Sequence, residues 1–276
     1  MRVAAIQHDT IWEDREANFA HLRPMIASAA GAGARLIVLT EMFSTGFSNN
    51  IAAVTEPEGG PSSQFLVEMA QTYGVWVTGS CPELPPGRPD ERPFNSHVIA
   101  GPDATVHRYR KIHPFSYAGE DRFYAAGEQL VTIEIEGIRV SPFVCYDLRF
   151  ADEFWQLAAD TDLYIVPANW PQSRRLHWQS LLLARAIENQ AYVIGCNRVG
   201  TANTLAYSGD SRIIDPLGEL LATAAHTESI LLADISADYV AEVRDRFRFM
   251  ADRRRNDVWQ PAAAAAGSTS AVVSPA

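Results

Sequence analysis

Two spacings of apolar positions take turns along this chain, one of about two residues and one of between three and four. "RVAAIQHD" reads as a short buried strand, and Glu16 to Ala30 then carries Phe19, Leu22, Met25, Ile26 and Ala29 at helical spacing. "GAG" ends that helix and leads into "RLIVLT", a β-rich run that stops at Glu41. A second helix is expected from Ser62, as N-cap, through Tyr73, with Gly74 ending it. "VWVTGSC" reads as a strand, "SHVIAGPDATVHRYRK" as a hairpin, and "LVTIEIEGIRVSPFV" as two strands joined at Gly137. A helix from about Ala151, the strand "DLYIVPA", a long helix around "HWQSLLLARAIENQ" and the strand "YVIGCNRVG" follow. "GDSRIIDPLGELLA" is a hairpin with proper turn chemistry at Asp215-Pro216-Leu217-Gly218, and "SADYVAEVRDRFRF" closes the pattern as a helix.

Strands and helices alternate, but hairpins are mixed in, so sheets layered between helices fit better than a purely parallel doubly wound sheet. No linker-like stretch interrupts residues 1–260, which are expected to form one α/β domain. Residues 261–276 are a low-complexity, alanine-rich tail. The 276 residues are 47% hydrophobic and 20% charged, an ordinary globular composition. A formal charge of −10 without any Lys/Arg block argues against nucleic acid as a partner. No run approaches the roughly 18 apolar residues that span a bilayer, and the N-terminus lacks a signal-peptide pattern, so no membrane partner is expected. Cys81, Cys145 and Cys196 are widely separated and odd in number, which fits free thiols in a reduced, cytoplasmic protein. The histidines and cysteines show no metal-ligand spacing, so no metal is expected. "GAGARL" lies between a helix and a strand and lacks the third glycine of a dinucleotide loop.

Three strand ends carry candidate chemistry. Glu41 follows "RLIVLT", Lys111 ends "VHRYRK", and Cys145 ends "RVSPFV". Singly, each has a bland reading: a turn cap, a solvated edge-strand cation, and a small buried apolar side chain. Together they have a chemical logic. A lysine ammonium lowers the pKa of a neighbouring thiol, and a carboxylate takes the thiol proton and passes it to a leaving amine. The same lysine, with the Tyr146 N–H just after the cysteine, can hold an oxyanion. A sharp strand-to-helix turn would expose the sulfur, as in nucleophile elbows generally.

The segments "TEMFSTGF", "YRKIHPF" and "VCYDLRFADEFW" resemble, in order and approximate spacing, the three signature segments of the carbon–nitrogen hydrolase (nitrilase) superfamily. The resemblance runs from "RVAAIQ" to about Trp259. It implies a four-layer αββα sandwich that pairs through its outer helices into a homodimer or higher homo-oligomer, and a Glu41–Lys111–Cys145 triad that needs no cofactor. It also implies a supporting second glutamate, matched by Glu120 in "YAGEDRFYAAGE", with Glu128 the other choice in that loop. Cys81 and Cys196 are left as buried structural residues, and His113 as structural.

The flanks "EMFSTGFS", "ANWPQSR" and "HWQSLLLARAIENQAYVIGCNRVG" most resemble the ω-amidase branch, which hydrolyses the terminal amide of α-keto acids such as 2-oxoglutaramate and 2-oxosuccinamate. Such small-molecule substrates carry a carboxylate, for which an arginine guanidinium is the fitting partner. Arg174 and Arg149 are the candidates, although Arg149 reads equally as an ion-pair partner of Asp147 or of a helix-start carboxylate. Phe43, Phe47, Tyr146 and Trp170 are candidate apolar walls. Aliphatic amidase, N-carbamoyl amino acid hydrolase and nitrilase activities remain open alternatives. A non-catalytic thiol sensor is more remote, since it has no use for the glutamates.

Overall fold

The structure, a computed structural model, describes residues 1–87 and 91–254. The alanine-rich tail lies outside the described residues. In chain order the elements are β1 (Arg2–Gln7), α1 (Arg15–Gly31), β2 (Leu36–Val38), α2 (Ile51–Val54), β3 (Glu56–Pro57), α3 (Pro61–Tyr73), β4 (Trp76–Leu84), β5 (Phe94–Ala100) and β6 (Val106–Arg110). They continue with α4 (Glu120–Phe123), β7 (Ile133–Ile135), β8 (Ile138–Pro142), α5 (Ala151–Leu157), β9 (Leu163–Ala168), α6 (Arg175–Asn189) and β10 (Tyr192–Asn197). β11 (Val199–Ala202), β12 (Leu205–Ile214), β13 (Leu220–Ala225), β14 (Ser229–Asp234) and α7 (Ala237–Arg246) complete the order.

The strands form two mixed sheets, ordered β14-β1-β2-β4-β5-β6 and β11-β12-β10-β9-β8-β7. Because side chains alternate across a strand, one strand serves two cores. In β1, Ala4 and Ile6 pack under Phe19, Leu22 and Ile26 of α1 and Phe65, Leu66 and Met69 of α3. Val3 and Ala5, on the opposite face, meet Leu163, Ile165, Ile194 and Cys196 of the second sheet. Tyr164, Val166 and Val193 of that sheet turn outward onto Phe154 of α5 and Trp178, Leu182 and Ala186 of α6. The order of layers is therefore helix, sheet, sheet, helix, as the sequence resemblance implied. Among the described residues no helix is long and apolar enough to cross a membrane.

Several boundaries differ from the sequence expectation. Pro61 occupies the first helical position of α3, so Gly60 is the cap and Ser62 lies inside the helix, its N–H and hydroxyl both donating to Glu56. "YVIGCNRVG" breaks at Arg198, whose buried guanidinium bonds Asp9 and the carbonyls of Thr10 and Val199. β14 pairs antiparallel with β1 at the sheet edge and went unread, because its half-exposed pattern gives no clear period.

Candidate active site

The chain enters the site at strand C-terminal ends, where open α/β sheets place their ligands. Glu41 lies three residues beyond β2, Lys111 directly follows β6, Cys145 comes three residues after β8, and Asn169 directly follows β9. β2 belongs to the first sheet and β8 and β9 to the second, so the site forms across the seam between them.

Two left-handed residues sharpen the turns. Cys145 has φ +44° and opens a short 3₁₀ helix, Cys145–Arg149, before α5. Met42, next to Glu41, has φ +46°, and its N–H donates to Ser80 Oγ. Such a conformation is costly for residues other than glycine and persists only where surrounding contacts impose it. At Cys145 the contacts come from the buried carboxylate of Asp147. Its Oδ2 accepts from Val144 N–H (3.0 Å) and Tyr109 OH (2.9 Å), and its Oδ1 from His113 N–H (2.9 Å). His113 also sets its ring nitrogen against Asp147 and stacks on Phe150 at 3.7 Å, so its reading as structural fits.

The charged centre is dense and buried. Lys111 Nζ lies 3.0 Å from Glu41 Oε1 and 2.8 Å from Glu120 Oε2, with the three side chains 1%, 1% and 0% exposed. Asn95 Nδ2 donates to both carboxylates, at 2.9 Å to Glu41 and 3.2 Å to Glu120. The other Glu41 oxygen accepts from the backbone N–H of Asn169 at 2.8 Å. Glu120 further accepts from the Phe115 N–H. Burial disfavours the Lys111 ammonium, but Glu120 and Glu41 overcome that and hold its pKa well above the usual lysine range. Burial raises Glu120, against the pull of Lys111. Glu128 is exposed, as a solvated loop charge would be.

The thiol departs from the expectation of a lysine-lowered pKa. Lys111 does pull it down, but burial and the neighbouring Glu41 carboxylate outweigh that, and Cys145 is held well above the ordinary cysteine range. The resting group is therefore a neutral thiol facing a base. Alkylation of Cys145 by iodoacetamide should accordingly rise about tenfold per pH unit from pH 6 to 8, without a plateau. A plateau near neutrality, measured by intact mass against time, would reveal a preformed thiolate.

Cys145, Tyr146, Arg149, Asn169, Trp170, Pro171, Arg174 and Phe115 line one small cavity of about 30 Å³. Arg149 stacks its guanidinium 4.7 Å from the Trp170 ring and reaches His177 Nδ1 at 3.3 Å. It does not pair with Asp147, whose oxygens serve the elbow. Arg174 lies over Phe115 at 5.5 Å, and its backbone carbonyl accepts from Trp170 Nε1. Neither guanidinium meets a carboxylate among the described residues. Phe47 covers Lys111, with 5.6 Å from ring centre to Nζ. Phe43 is not a wall of the site: it is fully buried in the outer core against Phe65 and Phe19, because the left-handed Met42 turns it back under α1 and α3. Cys81 and Cys196 are buried and free, and Cys196 donates to the Ile6 carbonyl of the facing sheet. Asn95 and Asn169 were not anticipated. A polar side chain at a strand start and another at a strand end were the available signals, and neither says which way an amide points.

Comparison with known proteins agrees with this architecture. The model of the carbon–nitrogen hydrolase family matches residues 2–245. The omega-amidase YafV of Escherichia coli strain K12 is 38% identical over 94% of this chain and 99% of its own. The 2-oxoglutaramate amidase of Bacillus subtilis is 32% identical over 81% of this chain and 86% of its own. Among solved structures, the protein XC1258 of Xanthomonas campestris, a CN-hydrolase superfamily member with an arsenic adduct in its active site, superposes with a TM-score of 0.87. It is 35% identical, with 92% of this chain and 97% of that one covered. Family model, relatives and layered fold agree: the chain belongs to the carbon–nitrogen hydrolase family, whose members act on carbon–nitrogen bonds.

Proposed function

We propose that the protein is an ω-amidase that hydrolyses the terminal amide of a small α-keto acid such as 2-oxoglutaramate or 2-oxosuccinamate. The observation that carries this reading is one cavity bordered by an elbow cysteine and two arginines that meet no carboxylate among the described residues, backed by a lysine held between two buried glutamates. The cysteine, glutamate and lysine supply acyl chemistry, and the arginines supply a counter-charge for a substrate carboxylate. Similarity to an omega-amidase and to a 2-oxoglutaramate amidase supports the assignment.

In this scheme Glu41 takes the thiol proton as Cys145 Sγ attacks the amide carbon. Lys111 has three N–H donors, serving Glu41, Glu120 and the developing oxyanion. The Tyr146 N–H, in the first turn of the 3₁₀ helix, has no acceptor within that helix and is the second oxyanion donor. Glu41 returns its proton to the leaving nitrogen, ammonia departs, and a thioester remains. Water then gives its proton to Glu41 and its oxygen to the acyl carbon, which frees the dicarboxylate and restores the thiol.

In the same reading the protein is cytoplasmic and assembles as a homodimer or higher homo-oligomer. Its cysteines are all free, and Leu176 and Ile187 of α6 stand exposed with Leu217, Leu220 and Leu221. The test of function is ammonia release from 2-oxoglutaramate beside glutamine, a short aliphatic amide, a nitrile and an N-carbamoyl amino acid. Fast release from the keto-acid amide is expected; release from another member alone would discard the substrate while keeping the triad. Arg174→Ala should raise KM for carboxylate-bearing amides at least about tenfold, and much less for neutral amides. Equal changes for both would remove Arg174 from carboxylate recognition.

A further inference from the structure

Asn169 is bonded to the base through one end of its side chain. Its Nδ2 donates to the Glu41 carbonyl at 2.7 Å and to Glu41 Oε2 at 3.3 Å. Both partners are acceptors only, so the orientation of the amide is fixed, with nitrogen toward Glu41 and Oδ1 away from it. Asn169 is 7% exposed, and Oδ1 accepts no hydrogen bond among the described residues. The residue borders the same small cavity as Cys145 and Tyr146. Asn95 also has an unbonded Oδ1, but it stands behind the carboxylates and does not border the cavity.

A buried acceptor without a donor is costly, and a site that keeps one favours a ligand that brings the donor. With the substrate carbonyl oxygen on Lys111 and Tyr146 and its carbon facing Cys145, the –NH₂ group is directed to the side where Glu41 must deliver a proton. That is also the side where Asn169 is anchored. We propose that Asn169 Oδ1 accepts one N–H of the substrate's primary carboxamide, making Asn169 the residue that selects an amide over the corresponding ester, acid or nitrile. None of those competitors offers an N–H at that point. Asn169 makes and breaks no covalent bond. Its hydrogen bond strengthens as the leaving nitrogen is protonated, because the donor then carries charge. This inference rests on the amidase reading and deepens it.

The test separates the two. In the Cys145→Ala protein, affinities for succinamate and for monomethyl succinate are measured by calorimetry; both carry the carboxylate, and only the amide carries N–H groups. The amide should bind more tightly. Adding Asn169→Leu should weaken the amide about 10- to 100-fold and leave the ester within about twofold. Asn169→Ala takes its place if the leucine variant does not fold. Asn169→Asp, which keeps the acceptor and loses the Nδ2 donor, should retain the preference for the amide. Equal weakening of amide and ester by Asn169→Leu, or no preference in the Cys145→Ala parent, would overturn the proposal and leave Asn169 only as a support for Glu41. Absence of ammonia release by the Cys145-intact enzyme, with the binding preference present, would instead fault the functional reading.

Discussion

Cys145→Ala should lower ammonia release by at least about 10⁴-fold, because the covalent route closes and only positioning and oxyanion binding remain to assist water. The fold should survive the change. The substitution removes one sulfur and keeps the same left-handed backbone, so the melting temperature should move by only a few degrees. Asp147, with Tyr109 and His113, holds the elbow through hydrogen bonds that do not involve the sulfur. Steady-state kinetics together with a thermal melt check both halves. Undiminished turnover would remove Cys145 from the mechanism, and collapse of the fold would mean that the thiol is part of the scaffold.

Lys111→Met should be damaging in both respects. Glu41 and Glu120 would face each other, buried and both bonded by Asn95 Nδ2, without the ammonium that now lies between them. Removing one partner of a buried ion pair costs about 3–5 kcal/mol, since the remaining charge keeps its desolvation penalty. Loss of the oxyanion donor costs a further 10²–10³-fold, roughly, in kcat. Adding Glu120→Gln should return part of the stability, because one of the two carboxylates is then neutral, and none of the activity. Urea unfolding of the single and double variants measures the coupling. A Lys111→Met protein as stable as the parent would contradict the ion triad.

Much of this molecule is written in its sequence, and the exceptions have physical causes. Glu41 and Cys145 are legible as abrupt ends of apolar runs, whereas Lys111 ends the already basic run "VHRYRK" and is picked out by the motif resemblance. The four layers came from the family resemblance; alternation within β1 adds only that Val3 and Ala4 go to opposite cores. Beyond the strand ends that logic stops. Met42 and Cys145 both adopt the left-handed region, and neither residue type signals it. Phe43 therefore faces the outer core instead of the substrate, while Phe47, four residues on, covers Lys111. The thiol's pKa could not be read from its neighbours' identities, since the outcome depends on burial and on how close Glu41 stands. Asn95 and Asn169 are hidden for a related reason: an amide's role depends on which of its two ends meets which partner.

The most direct test of the account is chemical quench of the enzyme mixed with 2-oxoglutaramate, followed by intact-mass analysis and peptide mapping. Within the first turnover Cys145 should carry the mass of the substrate less ammonia, with ammonia released in step and the adduct lost as product appears. Ammonia release without any adduct on Cys145, at quench times shorter than one turnover, would contradict the thioester route on which the account rests.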